Sequence, residues 1–360
     1  MKIAMLGTGA YGLALASKLA GNGHKVVMWT ENKDKEKEYQ TTHNLKSINS
    51  SYELSDNIEV TSNIEDVMNG AKIIFFTCAS KYTNDVASMI LPYFEKDMVI
   101  CIASKGIEEK TCHLLSNVIK FVLNAKNITV ISGPTFAVDM LAGEPVALAI
   151  AGTNRKSQNL VIKALSCDTV KLRISKDLIG VQICGAVKNI FAIASGILGG
   201  LGYSESTRAF LINESLHDIK DLIYFMGGKP KTILSFAGVG DLLMTCMSTK
   251  SRNYSFGYVI GSTKDKDKIN EFLNSEKIPK ENFDDLKNVP ENMEFSLLSK
   301  EFPELIDIIG YHGIVIEPLP VDEIILKRII ERGKNFINYL DGVQKKLKNV
   351  QKLLLQVKLL

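Results

Sequence analysis

The chain has 360 residues, of which 46% are hydrophobic and 23% charged, with a net charge of +3. That length exceeds most single hydrophobic cores and predicts two domains. The near-balance of charge argues against nucleic acid as a partner, which would call for a concentrated basic stripe. It leaves room for a small anionic ligand held by a few local cations.

Lys2–Leu6 is a short apolar run that reads as a strand and leads straight into glycines. A signal peptide would need a longer apolar stretch and a small-residue cleavage site. Tyr11–Ala20 has helical spacing and ends near Gly21 and Gly23, and Lys25–Trp29 is strand-like again. Further apolar, β-branched runs follow at Lys72–Cys78, Val99–Ala103, Ile128–Ser132 and Val146–Ile150. Helical stretches at Asn84–Leu91, His113–Leu123 and Ser157–Leu165 separate most of them. Strand-length apolar runs alternating with helices predict an α/β, doubly wound domain: a mostly parallel sheet with helices on both faces.

After Ile174 helical periodicity takes over, at Leu178–Leu201, Thr207–Met226, Pro290–Ile309 and Val321–Tyr339, so the second domain is expected to be mainly α-helical. Thr263–Lys287 is highly charged and reads as an exposed excursion. Val343–Leu360 alternates leucine or valine with lysine and glutamine, which suits an amphipathic packing helix or a solvated terminus. No integral membrane segment is expected, because no run reaches roughly 18 uninterrupted apolar residues. The nearest, Leu178–Leu201, carries Lys188 and Asn189 in its middle. None of the six cysteines forms a CxxC pair, and Cys78, Cys101 and Cys184 sit in apolar runs. They read as buried reduced thiols of a cytoplasmic protein.

Gly7-Thr8-Gly9-Ala10-Tyr11-Gly12 fits G-x-G-x-x-G between a strand and a helix. Gly7 permits the tight turn, Gly9 lets a pyrophosphate approach the backbone, and Gly12 lets helix and strand pack closely. The phosphates then meet the free amides and positive end of the helix dipole. This assigns residues 1–176 to a Rossmann-type NAD(P)-binding domain, 177–342 to an α-helical substrate and catalytic domain, and 343–360 to a tail. Glu31 follows the second strand, where a carboxylate can accept from the adenosine ribose hydroxyls and repel a 2′-phosphate. That reading favours NAD over NADP; the alternative is an exposed loop glutamate.

Lys188 lies in Cys184-Gly185-Ala186-Val187-Lys188-Asn189-Ile190-Phe191, inside an otherwise apolar helix. An amine there must reach water, a carboxylate or a ligand. In a partly dry site it can donate a proton to a carbonyl oxygen as hydride reaches the carbon, and its neutral form can take the proton back. The alternative is a lysine snorkelling from the helix edge. Gly238–Cys246 contains Asp241, an acid able to hold and orient that lysine, and Ser251-Arg252-Asn253 offers a guanidinium fork, an amide and a hydroxyl for phosphate or carboxylate. None of the five histidines has metal-ligand spacing with another, so no metal is expected.

Taken in order, these segments resemble the bacterial NAD(P)-dependent sn-glycerol-3-phosphate dehydrogenase family from about Met1 to Arg328. The matching motifs are GTGAYGLALA, Ser104-Lys105-Gly106, Ser132-Gly133-Pro134-Thr135-Phe136-Ala137, Gly185–Asn189, Gly238–Cys246, and Ser251-Arg252-Asn253 with Phe256-Gly257. The resemblance implies reversible hydride transfer between NAD(P)H and dihydroxyacetone phosphate, giving sn-glycerol 3-phosphate for phospholipid synthesis, in a homodimer. It implies Lys188 as proton donor and acceptor, with Asp241 also catalytic. Lys105, Gly133, Thr135, Asp241, Ser251, Arg252 and Asn253 would serve the substrate. Ala10, Tyr11, Glu31, Lys105, Ala137, Arg252, Val289 and Glu291 would touch the cofactor. The chain departs from the family pattern at Ser206-Thr207-Arg208, at Glu214 where an arginine is usual, at Glu31 where a basic or polar residue is frequent, at Asn292, and near Thr77–Ser80, where a proline is missing. Related two-domain 3-hydroxyacid dehydrogenases or ketopantoate reductases, and a non-catalytic NAD-sensing protein, are the alternatives.

Overall fold

A computed structural model describes residues 1–45, 54–108 and 111–262. Val289, Glu291 and Asn292, the segments Thr263–Lys287, Pro290–Ile309 and Val321–Tyr339, and the 343–360 tail lie outside the described residues. The chain divides into two compact units: Met1–Ala186 with Ile223–Asp241, and Val187–Leu222 with Leu242–Leu360.

Among the described residues the first unit contains eight strands in one sheet: β1 (Lys2–Leu6), β2 (Lys25–Trp29), β3 (Ile58–Thr61), β4 (Ile73–Phe76), β5 (Val99–Ile102), β6 (Ile128–Ser132), β7 (Val146–Gly152) and β8 (Val170–Ile174). Their order is β3-β2-β1-β4-β5-β6-β7-β8. All neighbours are parallel except β6 and β7. The helices between them are α1 (Ala10–Gly21), α2 (Lys33–Thr42), α3 (Ile64–Met68), α4 (Thr83–Ile90), α5 (Leu115–Leu123), α6 (Ala137–Leu141) and α7 (Arg155–Leu165). Central strands are largely apolar because helices cover both faces. Every residue of β4, β5 and β6 is buried. The chain runs outward from β1 through β2 to β3, then returns to start β4 on β1's other side. In open α/β sheets, the carboxyl ends of strands at such a reversal form a crevice that takes ligands.

Two strands escape the apolar-run reading, and both are edges. β3 (Ile-Glu-Val-Thr) and β8 (Val-Lys-Leu-Arg-Ile) alternate buried and exposed positions. Helix α2 also escapes it, since Tyr39 is its one buried residue. It starts because the Asn32 side chain accepts from the amides of Asp34 and Lys35.

Among the described residues the helices after β8 are α8 (Leu178–Gly200), α9 (Glu205–Phe225), α10 (Asp241–Met247) and α11 (Arg252–Ser262), as the change to helical periodicity predicts. Helix α8 is long and apolar enough to cross a membrane, but 67% of its apolar window is buried within the protein, so packing accounts for its composition. Asp177, 5% exposed, opens it. Its carboxylate accepts from the Gly180 amide at 3.0 Å, the Lys229 amide at 2.8 Å and the Thr232 hydroxyl at 2.6 Å. One buried acid thus caps α8 and pins the loop that leads to Asp241.

In the second unit α8 and α11 pack backbone to backbone. Gly196 and Gly200 on α8, and Gly257 and Gly261 on α11, share a four-residue spacing. A Cβ at any of them would fall inside contact distance of main-chain atoms on the opposite helix. Gly257→Ala should therefore part the helices and destabilise the protein by about 1–3 kcal/mol, the usual cost of overpacking. A urea melt measures it, and a change below about 0.5 kcal/mol, the scale of surface substitutions, would count against this packing.

Candidate active site

In the first unit the glycine loop joins β1 to α1. Gly7 has φ +124°, and a Cβ there would meet the Cys78 amide at 2.9 Å. A Cβ on Gly12 would meet Thr77 Oγ1 at 2.9 Å and the Gly7 carbonyl at 3.1 Å. Both positions therefore need glycine for internal reasons. Gly9 differs: beyond its chain neighbours, no atom of the described residues lies within 4 Å of its would-be Cβ. None of the described residues demands a glycine there, whereas a phosphate approaching the backbone would. Gly9 gives α1 no side-chain cap, so the helix starts with amides available to an anion. Ala10 and Tyr11 form its first turn. The Tyr11 hydroxyl is buried with no hydrogen-bond partner, and burial, then Asp241, holds its pKa well above the usual phenol value. Glu31 is exposed in the bend between β2 and α2. Ala137 begins α6 and packs on the core beneath α1.

At the ends of β5 and β6 stands an ion pair. Lys105 Nζ lies 2.7 Å from Asp241 Oδ2 and donates to the Gly133 carbonyl at 3.3 Å. The Lys105 side chain is 18% exposed and that of Asp241 0%. Asp241 arrives through Phe236–Gly240, a stretch of wide helical turns with Gly238 at non-helical angles (φ −87°, ψ −108°). A Cβ on Gly238 would collide with the backbone of Ile233, which fixes glycine there. Gly133 is glycine because β7 passes close: a Cβ would lie 2.7 Å from the Ala147 carbonyl and 3.0 Å from Leu148 Cα. Two hydroxyls beside it, Ser132 at 2% exposure and Thr135 at 7%, have no hydrogen-bond partner among the described residues. Cys78 and Cys101 stay protonated, their thiols pushed up to about 12 by burial, and no disulfide joins any of the six cysteines.

In the second unit Lys188 is 7% exposed and donates to the Thr245 hydroxyl at 3.0 Å. It does not snorkel. Thr245 lies on α10, which the Ser195 hydroxyl ties to α8 by donating to the Cys246 carbonyl at 2.7 Å. Ser251 caps α11, its Oγ accepting from the Tyr254 amide at 3.3 Å. Arg252 and Asn253 then occupy the first turn, where the helix dipole favours an anion. Arg252 is exposed and has no carboxylate partner among the described residues. Arg208, in the departing segment, donates to the Tyr254 hydroxyl at 2.9 Å, so it braces α11. Glu214 sits half-buried on α9.

The structure therefore gathers Lys105, Gly133 and Asp241 in one unit, and Lys188, with Thr245, in the other, which also carries the Ser251–Asn253 turn. Thr245, Ser132 and Asp177 are absent from the sequence-based site. For Asp177 a signal existed, an aspartate just ahead of an apolar helix. Single hydroxyls in Ile-Ser-Gly-Pro and Met-Thr-Cys carry none.

A dinucleotide-binding Rossmann-type unit followed by a helical unit with a buried lysine defines an NAD(P)-dependent dehydrogenase. The chain belongs to the NAD-dependent glycerol-3-phosphate dehydrogenase family, whose N-terminal model matches residues 2–158 and whose C-terminal model matches residues 177–305. Glycerol-3-phosphate dehydrogenase [NAD(P)+] of Staphylococcus carnosus is 32% identical over 92% of this chain and 98% of its own length. That of Staphylococcus saprophyticus is 33% identical over 92% and 98%. The crystal structure of glycerol-3-phosphate dehydrogenase from Coxiella burnetii superposes with a TM-score of 0.73 at 32% identity, covering 77% of this chain and 85% of that one.

Proposed function

We propose that this chain reduces dihydroxyacetone phosphate to sn-glycerol 3-phosphate, reversibly and with NAD(P)H, for phospholipid synthesis. Bound nicotinamide supplies the hydride. Lys188 gives a proton to the carbonyl oxygen as negative charge develops there, and takes it back in the reverse direction. Thr245 accepts one ammonium hydrogen and so fixes where the other two point. Arg252, with Ser251 and Asn253, holds the phosphate dianion at the start of α11. The dinucleotide pyrophosphate is bound by Gly7–Gly12 and the first amides of α1, with Tyr11 and Ala137 alongside. Lys105 and Asp241 form a fixed ion pair in the same unit, with Gly133 and Thr135 on the substrate side. The observation that carries the site assignment is Lys188, an amine buried in an apolar helix and held by a hydroxyl.

NAD is the proposed cofactor in preference to NADP, on the charge of Glu31 at the end of β2; Val289 and Glu291 complete the proposed cofactor set. A homodimer in the cytoplasm is the proposed working form, and the boundaries 1–176 and 177–342 its proposed domains. The decisive assay follows NADH absorbance with dihydroxyacetone phosphate. Turnover is expected with both cofactors, with kcat/KM higher for NADH than for NADPH. Folded protein with no turnover on either would overturn the reading, and a preference for NADPH would overturn the role of Glu31.

A further inference from the structure

Ser132 ends β6, and its hydroxyl is buried without a partner. Buried polar groups are nearly always hydrogen-bonded, and leaving one unpaired costs about 1–3 kcal/mol. A Cβ on Gly185 of α8 would come within 3.0 Å of Ser132 Oγ and 3.6 Å of Lys105 Cγ. The hydroxyl and the Lys105 stem thus share one spot, with a side-chain-free residue above them. Thr135 adds a second unpartnered hydroxyl from the same turn.

The electrostatics of that spot select a ligand. The Lys105 ammonium is already neutralised by Asp241 at 2.7 Å. A phosphate dianion gains little there, because the nearby cation is compensated, whereas a neutral group with both donor and acceptor suits a hydroxyl that can do both. Position selects further. The anion-binding glycines sit at the end of β1, and Ser132 sits at the end of β6, three strands along in the order β1-β4-β5-β6. At ~4.8 Å per strand this is roughly 14 Å, along the line of carboxyl ends over which an extended dinucleotide lies. The neutral, non-phosphate end of the cofactor falls at β6.

We propose that the Ser132 hydroxyl hydrogen-bonds the carboxamide of bound nicotinamide and sets the orientation of its ring. The proposal rests on the cofactor reading above. Its test is Ser132→Ala, assayed by fluorescence titration with NADH, by titration with ADP-ribose, and by thermal melting. The NADH Kd should rise roughly three- to tenfold, the effect of one lost hydrogen bond. ADP-ribose, which lacks the nicotinamide, should bind as before. The melting temperature should hold or rise, because no bond within the protein is lost. The variant should also discriminate less between NADH and its 3-acetylpyridine analogue, which lacks the amide hydrogens. An unchanged NADH Kd would overturn the proposal, as would a lowered melting temperature. A raised KM for dihydroxyacetone phosphate with an unchanged NADH Kd would overturn it too, and assign the hydroxyl to the substrate. Wild-type protein that binds neither NADH nor ADP-ribose would instead defeat the cofactor reading itself, and this proposal with it.

Discussion

Lys188→Ala should lower kcat by roughly 10²–10⁴-fold, the range general acid–base catalysis contributes, while NADH still binds. The expectation follows from where the groups sit. The glycine loop and α1 belong to the first unit, whereas Lys188 and its partner Thr245 belong to the second. Alanine would also leave a cavity and remove the hydrogen bond to the Thr245 hydroxyl, so a stability loss of about 1–3 kcal/mol accompanies the change. Lys188→Met separates the two effects. It keeps most of the stem, fills the space and removes only the amine. If both variants lose turnover alike and methionine restores the melting temperature, the amine's proton is the missing element. Either variant retaining kcat within about threefold, well short of what an acid–base group contributes, would remove Lys188 from the chemistry.

Lys188 was legible in the sequence because a charge inside an apolar helix is an anomaly that burial must explain. The glycine loop was legible for a related reason: its residue types answer to backbone geometry, seen in the φ of Gly7 and the closeness of Thr77 to Gly12. The central strands were legible as continuous apolar runs. The edge strands β3 and β8 were not, since one of their faces meets solvent and their pattern alternates. The pairing of Lys105 with Asp241 spans 136 residues, and no local pattern encodes it; the sheet and the wide turns at Phe236–Gly240 bring the two together. Asp241 carries an ion pair with Lys105, a pairing that the reading of the sequence did not contain. The close crossing of α8 and α11 was written as two glycine pairs, Gly196 with Gly200 and Gly257 with Gly261. Glycines inside helices read as weak points until the opposite backbone is in view.

Arg252→Ala should raise the KM for dihydroxyacetone phosphate on the order of 100-fold, with a much smaller change in the KM for NADH. Two charge-assisted hydrogen bonds to a phosphate, at about 1.5–3 kcal/mol each, would give more than this in a dry site. Arg252 is exposed, so solvent screening reduces the sum to about 3 kcal/mol, and each 1.36 kcal/mol is a decade. The guanidinium suits the task because no described carboxylate competes for it, unlike the ammonium of Lys105. Arg252→Lys tests geometry against charge: it keeps the cation and loses the fork, so its KM should lie between those of wild type and alanine. Salt supplies an independent check. Raising ionic strength should weaken substrate binding in the wild type more than in the alanine variant, since the screened attraction is the one already deleted. If Arg252→Ala altered only cofactor affinity, the guanidinium would belong to the dinucleotide, and the phosphate of the substrate would need another cation.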